Sequence, residues 1–209
     1  MTENRRPISS REHPLAQRIA VALTRHRRIS PNQISLLSMV FAAIGATLLA
    51  FFPNPFTFIC AALTAQMRLL CNLFDGMVAV EGGWKTPVGE MFNELPDRVS
   101  DSLFYIALGY AAQLPWLGYL AALFAVGTAY IRVFGGSLGL AQSFRGPFAK
   151  QQRMAVFTLA CLCAAFLAIW DKAVLPLQIA AWLIALGSAL TCLLRIRDIA
   201  LALTRRAAP

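Results

Sequence analysis

The sequence predicts an all-α integral membrane protein: six transmembrane helices plus an N-terminal interfacial amphipathic helix, in one domain over residues 1–209. Three observations predict it. First, 58% of the 209 residues are hydrophobic and the mean hydropathy is +0.60, more apolar sequence than a soluble domain of this size buries. Second, six apolar stretches are each long enough to cross roughly 30 Å of hydrocarbon as helix; they lie at 32–52, 56–80, 87–112, 115–140, 151–170 and 174–200. Third, the basic residues alternate along the chain. They crowd the N-terminal segment (Arg5, Arg6, Arg11, Arg18, Arg25, Arg27, Arg28), the connection holding Lys85, the connection holding Arg145, Lys150 and Arg153, and the tail (Arg195, Arg197, Arg205, Arg206). The intervening turns FFPNPF and AAQLPW carry no charge, and the last carries only Asp171 and Lys172. The positive-inside rule then places both termini, and the connections after the second and fourth spans, in the cytoplasm, as for a bacterial inner-membrane protein. The net charge of +9 therefore reads as membrane topology and contact with anionic membrane lipids rather than nucleic-acid binding.

The elements follow in order. Residues 1–30 form a cytoplasmic amphipathic segment. Here SSREHPLAQRIAVALTRHRR offers Ser9 and Glu12 as a capping box, then Leu15, Ile19, Ala22 and Leu23 at helical spacing against an arginine-rich face, which predicts a helix lying on the membrane surface. No cleavable signal is expected, because the first apolar run is a full span. The six-helix bundle over 32–200 begins at SPNQIS: Ser30 suits an N-cap, Pro31 the first helical position and Gln33 the reciprocal capping contact. Thr86 and Pro87 open the third span in the same way. GGSLG at 135–139 has the small-residue spacing of helix contacts or of a homodimer interface. The five cysteines all fall in apolar spans, without a CxxC pair and with only two histidines in the chain, so free buried thiols are expected.

Between the second and third spans the composition changes. From Cys71 to Asp101 the chain reads CNLFDGMVAVEGGWKTPVGEMFNELPDRVSD, which holds six of its ten acidic residues. On the second span, Arg68, Asn72, Asp75, Gly76 and Ala79 share an arc of about 100°. Asn93, Asp97, Glu90, Asp101 and Glu94 do the same on the third. The short connection EGGWKTP makes the two spans neighbours, able to turn these faces toward each other at the cytoplasmic edge. Unpaired carboxylates at that depth are costly, so they imply cations, and hard oxygen donors suit Mg2+ or Mn2+. The small residues Gly76, Ala79 and Gly89 would let a ligand approach the backbones, and a divalent ion beside such a cleft serves to bind a diphosphate. The simpler reading is that Arg68 or Arg98 neutralises Asp75 or Asp97 as structural ion pairs.

The spacing resembles that of the CDP-alcohol phosphatidyltransferase family, whose motif is D-x2-D-G-x2-A-R-x8-G-x3-D-x3-D. This chain reads Asn72-x2-Asp75-Gly76-x2-Ala79-Val80-x8-Gly89-x3-Asn93-x3-Asp97, with every interval kept. Three positions depart: Asn72 and Asn93 stand for aspartates, and Val80 for the arginine. The pattern is similar to that of a bacterial branch of the family with a modified Asp motif.

The resemblance implies a metal-dependent transferase of phospholipid biosynthesis. It would move a substituted phosphate, phosphatidyl above all, from a CDP-linked lipid such as CDP-diacylglycerol to an alcohol acceptor and release CMP. By the same resemblance Mg2+ or Mn2+ is held by Asp75 and Asp97, with Asn72 and Asn93 as neutral ligands and Glu94 and Asp101 as compensating acids. Asp97 is also the catalytic base. Gly76 and Ala79 line the nucleotide cleft, and Arg68 replaces the missing arginine. Arg132, Lys150 and Arg153, near RGPFAKQQR, are the candidate acceptor-binding cations for a phosphorylated alcohol. Two other classes remain: a catalytically inactive relative that binds lipid, nucleotide or a partner membrane protein, and a small transporter.

Overall fold

The computed structural model describes residues 14–26, 30–83 and 88–207. They form α1 (Pro14–His26), α2 (Pro31–Phe51), α3 (Pro55–Glu81), α4 (Gly89–Ala111), α5 (Pro115–Ser137), α6 (Lys150–Leu167) and α7 (Val174–Ala207), with one 3-10 turn, Ala168–Trp170, after α6. No strand occurs among the described residues. The start of α2 is specified as the sequence predicts: Ser30 Oγ accepts from the Gln33 amide at 3.2 Å, and the Gln33 side chain accepts from the Ser30 amide at 2.8 Å. Asn54 and Thr57 build an equivalent reciprocal cap on α3. The expected Ser9–Glu12 cap, and Lys85, Thr86 and Pro87, lie outside the described residues.

Helices α2 to α7 close into a ring. Going round it, α2 packs on α3, α3 on α6, α6 on α7, α7 on α5, α5 on α4, and α4 back on α2. The interior is filled by Phe104, Tyr105 and Leu108 of α4, Leu117 of α5, Met154, Phe157 and Cys161 of α6, and Leu177 and Ile184 of α7. Alanines line most of the remaining contacts, which brings the helix backbones close together. Large apolar side chains point outward instead: Ile44, Leu63, Leu123, Leu159, Leu186 and Leu193 are all exposed. That inversion of a soluble core is what a hydrocarbon solvent permits, and the molecule is an integral membrane protein.

Among the described residues, five helical segments are long and apolar enough to cross a membrane: Pro31–Phe51, Pro55–Val80, Pro115–Ser137, Lys150–Trp170 and Val174–Arg206. Helix α4 has the length, at 23 residues. It falls short in composition because Glu90, Glu94, Asp97, Arg98 and Asp101 all lie between its N-terminus and just past its midpoint. Six long helices thus stand where six spans are expected, and among the described residues five of them qualify as spans by length and hydropathy.

On α1, Ala16 and Ala20 pack against Leu73, Phe74 and Met77 of α3. Ile19 and Ala22, expected on the apolar face, stay exposed. The five cysteines are free, as expected. Gly135 of GGSLG lies against Ile199 of α7, so the small residue serves a helix contact within the chain. The turn joining α4 to α5 requires Gly109 and Gly118 to meet backbone to backbone, since a Cβ on Gly109 would stand 2.6 Å from Gly118 Cα. Gly109→Val is expected to lower the thermal midpoint of the purified protein, at an overpacking cost of about 1–3 kcal/mol. An unchanged midpoint would contradict that close approach.

Candidate active site

The arcs foreseen on α3 and α4 do converge, but through long side chains rather than by helix packing. Helix α2 packs along both α3 and α4, whereas the backbones of α3 and α4 barely meet. Arg68 and Asn72 span the gap. Arg68 Nη2 donates to the Asp97 carboxylate at 3.0 Å and to the Asp97 carbonyl at 3.2 Å, and ion-pairs with Asp101 Oδ1 at 2.8 Å. The Asn72 amide donates to the same Asp97 oxygen, Oδ1.

The other face of Asp97 is met from α6. Lys150 Nζ donates to Asp97 Oδ2, and Arg98 Nη2 lies 3.6 Å from that oxygen. Deeper in the bundle, Arg153 reaches Asp101 Oδ2 at 3.4 Å and donates to Tyr105 Oη, Thr128 Oγ1 and the Phe148 carbonyl at 3.3, 3.2 and 2.9 Å. Arg68, Arg153 and Asp101 are each at most 1% exposed, so these charges are sealed from solvent and must balance among themselves. Helix geometry explains the stacking: Asp97 and Asp101 are four residues apart on α4, as Arg68 and Asn72 are on α3.

Asp75 takes a different partner. Ser35 of α2 donates to Asp75 Oδ2 at 2.6 Å, and the second oxygen, Oδ1, is buried with no hydrogen-bond partner. The amide oxygen of Asn72 likewise accepts no hydrogen bond among the described residues. Nearer the helix ends, Glu94 pairs with Arg132 of α5 at 2.7 Å and with Arg98 at 3.4 Å, and the Arg132 guanidinium sits 5.3 Å from the Phe144 ring centroid. Asn93 is exposed. Gly76 and Ala79 are half-buried on α3, one and four residues beyond Asp75. The first amides of α4 have no side-chain cap at Val88.

The structure therefore brings Arg68, Asn72, Asp97, Asp101, Lys150 and Arg153 into one network. Glu94 and Arg132 stand at its rim, Asp75 on its α2 side, and Asn93 apart from it. Among the described residues no three acidic, histidine or cysteine side chains gather as a ready metal cage. The ion pair weighed as the simpler reading, Arg68 with Asp97, is present. Sequence periodicity missed Ser35, Tyr105, Thr128 and Arg195. Arg195 Nε donates to the Arg145 carbonyl at 2.9 Å and its Nη1 to the Thr128 carbonyl, tying α7 to the connection before α6. A positive-inside tally counts Arg195 as tail charge, yet it is only 4% exposed.

Fold and site together define a polytopic helical membrane protein with a buried charge network where α3, α4 and α6 meet. The sequence profile of the CDP-alcohol phosphatidyltransferase family matches residues 28–205. The chain belongs to that family. It is 25% identical over 143 residues to the inner membrane protein YnbA of Escherichia coli, covering 68% of this chain and 71% of that one. Over 127 residues it is 31% identical to the archaetidylinositol phosphate synthase of Aeropyrum pernix, covering 60% of this chain and 64% of that one, just under two thirds of the relative's length. In fold it is similar to the phosphatidylinositol phosphate synthase of Mycobacterium tuberculosis with CDP-DAG bound, at a TM-score of 0.74 and 22% identity over 90% of this chain and 94% of that one. The same enzyme in complex with manganese and citrate also aligns at 0.74 and 22% identity, over 88% of each chain.

Proposed function

We propose that the protein moves phosphatidyl from CDP-diacylglycerol to the hydroxyl of a phosphorylated alcohol, releasing CMP. The observation that carries this reading is the position of Asp97. Among the described residues it is the one carboxylate met from α3, from α6 and from within α4, at the motif position that the family resemblance assigns to the base. The acceptor oxygen attacks the lipid-bearing phosphorus, the P–O bond to CMP breaks, and the hydroxyl proton passes to Asp97. Arg68 and Lys150 hold that carboxylate in place until Lys150 yields one oxygen to the acceptor.

Asp75, with its unpartnered buried oxygen, and Asn72, with its free amide oxygen, fit a divalent cation, Mg2+ or Mn2+, together with Asp97. Held there, such an ion would supply positive charge against the diphosphate. Gly76 and Ala79 leave room along α3 for the nucleotide. Arg68 keeps Nε and Nη1 without hydrogen-bond partners, which supports it as the substitute for the arginine missing at Val80. At the rim, Arg132 is the candidate for the acceptor phosphate, with Arg153 behind it holding Asp101 and the floor of the site. The names of two of the three relatives, an archaetidylinositol phosphate synthase and a phosphatidylinositol phosphate synthase, support a phosphorylated acceptor. In this reading the site and both termini face the cytoplasm of a bacterial inner membrane, and a homodimer is compatible with the exposed apolar exterior.

The test is product analysis. Membranes containing the protein, given labelled CDP-diacylglycerol, Mg2+ or Mn2+ and a panel of free and phosphorylated alcohols, are expected to release CMP with a phosphorylated acceptor, and chelation is expected to stop the release. A second reading, a catalytically inactive relative, is favoured by the engagement of both Asp97 oxygens with protein cations. It wins if CDP-diacylglycerol binds and no acceptor yields CMP.

A further inference from the structure

The connection between α5 and α6 is laid along one stripe of α7. Gly187, Thr191 and Arg195 recur every four residues and so share a face of that helix, and residues 145–148 meet them in reverse order. The Phe148 ring lies against Gly187, where a Cβ would stand 2.3 Å from it. The Phe148 amide donates to Thr191 Oγ1 at 3.2 Å. Gly146, at φ +131°, crosses so close to Thr191 that a Cβ there would stand 2.4 Å from the Thr191 methyl. The Arg145 carbonyl accepts from Arg195 Nε at 2.9 Å. Both ends of this seated segment lead to a candidate acceptor cation. The Phe148 carbonyl accepts from Arg153 Nη1 at 2.9 Å, and Phe144, next to Arg145, places its ring 5.3 Å from the Arg132 guanidinium. Helix α6, which carries Lys150 and Arg153, begins at Ala149 without a side-chain cap, so its start is held by this seating instead.

We propose that Thr191 is a positioning residue for acceptor binding: seated on its hydroxyl, the connection fixes Arg132 at the rim and Arg153 in the floor beneath it, the arrangement that receives the phosphate of a phosphorylated alcohol. The proposal rests on the transferase reading above and deepens it by naming what aligns the acceptor subsite. Counting donors and acceptors defines what the hydroxyl does. Its one hydrogen goes to the Gly187 carbonyl at 2.8 Å, one turn back on α7, which leaves its lone pairs to accept from Phe148. Valine has nearly the same shape without that acceptor, and α7 keeps its backbone bonds, so the tie to the connection is what valine loses. Serine keeps both bonds. Thr191 is fully buried and acts on the acceptor through Phe148 and Arg153 alone. A guanidinium grips phosphate through a fixed fork of donors, so a small displacement of Arg132 or of the floor costs affinity for the anion while leaving the nucleotide cleft on α3 untouched.

Isothermal titration of inorganic phosphate into the full-length protein in detergent tests this, beside a titration with CDP-diacylglycerol in the same detergent. Wild type is expected to bind phosphate. Thr191→Val is expected to weaken phosphate binding about tenfold and to leave CDP-diacylglycerol binding unchanged, and Thr191→Ser to return phosphate binding to within about threefold of wild type. Gly146→Ala, which pushes the connection off Thr191 from the other side, is expected to reproduce the loss, and it decides the matter should Thr191→Val fail to fold. Four results would each overturn the proposal: no phosphate binding by wild type, unchanged phosphate binding in a folded Thr191→Val or Gly146→Ala protein, an equal loss for both ligands, or a serine variant as weak as the valine. CMP release is scored separately with the phosphorylated alcohols. There Thr191→Val is expected to raise KM for the acceptor more than it lowers kcat, and a lower kcat at unchanged KM also overturns the proposal. A protein that binds phosphate through Thr191 yet does not bind CDP-diacylglycerol, or releases no CMP, removes the transferase reading and leaves the role of Thr191 standing.

Discussion

Asp97→Asn is expected to reduce CMP release from CDP-diacylglycerol by about 10²–10⁴-fold, the range that a positioned base contributes. The substitution keeps the shape of the side chain and one carbonyl oxygen for Arg68 or Lys150, so loss of activity would not follow from collapse of the site. A thermal melt of the same preparation checks this. The effect should fall on turnover more than on the apparent affinity for CDP-diacylglycerol, because the proton is moved after the donor is bound. A fully active Asp97→Asn protein would remove Asp97 as the base and return the role to Asp75 or to a residue at the rim.

The second large effect concerns folding. Arg68 is completely buried and a single nitrogen, Nη2, touches both Asp97 and Asp101. Arg68→Met leaves Asp101 with Arg153 as its one remaining cation among the described residues and Asp97 with Lys150, Arg98 and the Asn72 amide, and breaking a buried pair by removing one partner costs about 3–5 kcal/mol. The expected result is a sharp fall in the yield of monodisperse protein and in its thermal midpoint. Adding Asp101→Asn removes one of the stranded charges and should recover part of the loss, a coupling that a double-mutant cycle measures directly. If Arg68→Met alone melted with wild type, the network would be ornamental to stability and its arginine would have to be explained by substrate binding.

Much of this architecture was legible in the residues. Ser30, Pro31 and Gln33 announced the start of α2 because capping chemistry is local, and long apolar runs announced α3, α5, α6 and α7 because crossing hydrocarbon demands length and little else. The motif intervals placed Asp75 and Asp97 on matching arcs. What could not be read was the order of helices around the ring. Periodicity says which residues share a face, not which neighbour that face meets, so Ser35 of α2 as the partner of Asp75 and Lys150 of α6 as the partner of Asp97 were invisible. The short EGGWKTP link suggested that α3 and α4 pack directly, yet α2 lies along both and only their long polar side chains meet. Asn93 and Glu94, adjacent in sequence and 100° apart on a helix, go to different surroundings for the same reason: one faces outward and the other turns to Arg132.

Helix α4 is the one long helix of the ring whose composition does not qualify it as a span. A segment carrying Glu90, Glu94, Asp97, Arg98 and Asp101 gains too little from hydrocarbon to settle there alone. Its partners are Arg68, made earlier in the chain, and Lys150 and Arg153, made later, so the carboxylates remain partly uncompensated until α6 has emerged. The polar half of α4 is thus completed by helices that lie on either side of it in the chain, and the charge network that forms the site also fastens α3, α4 and α6 to one another.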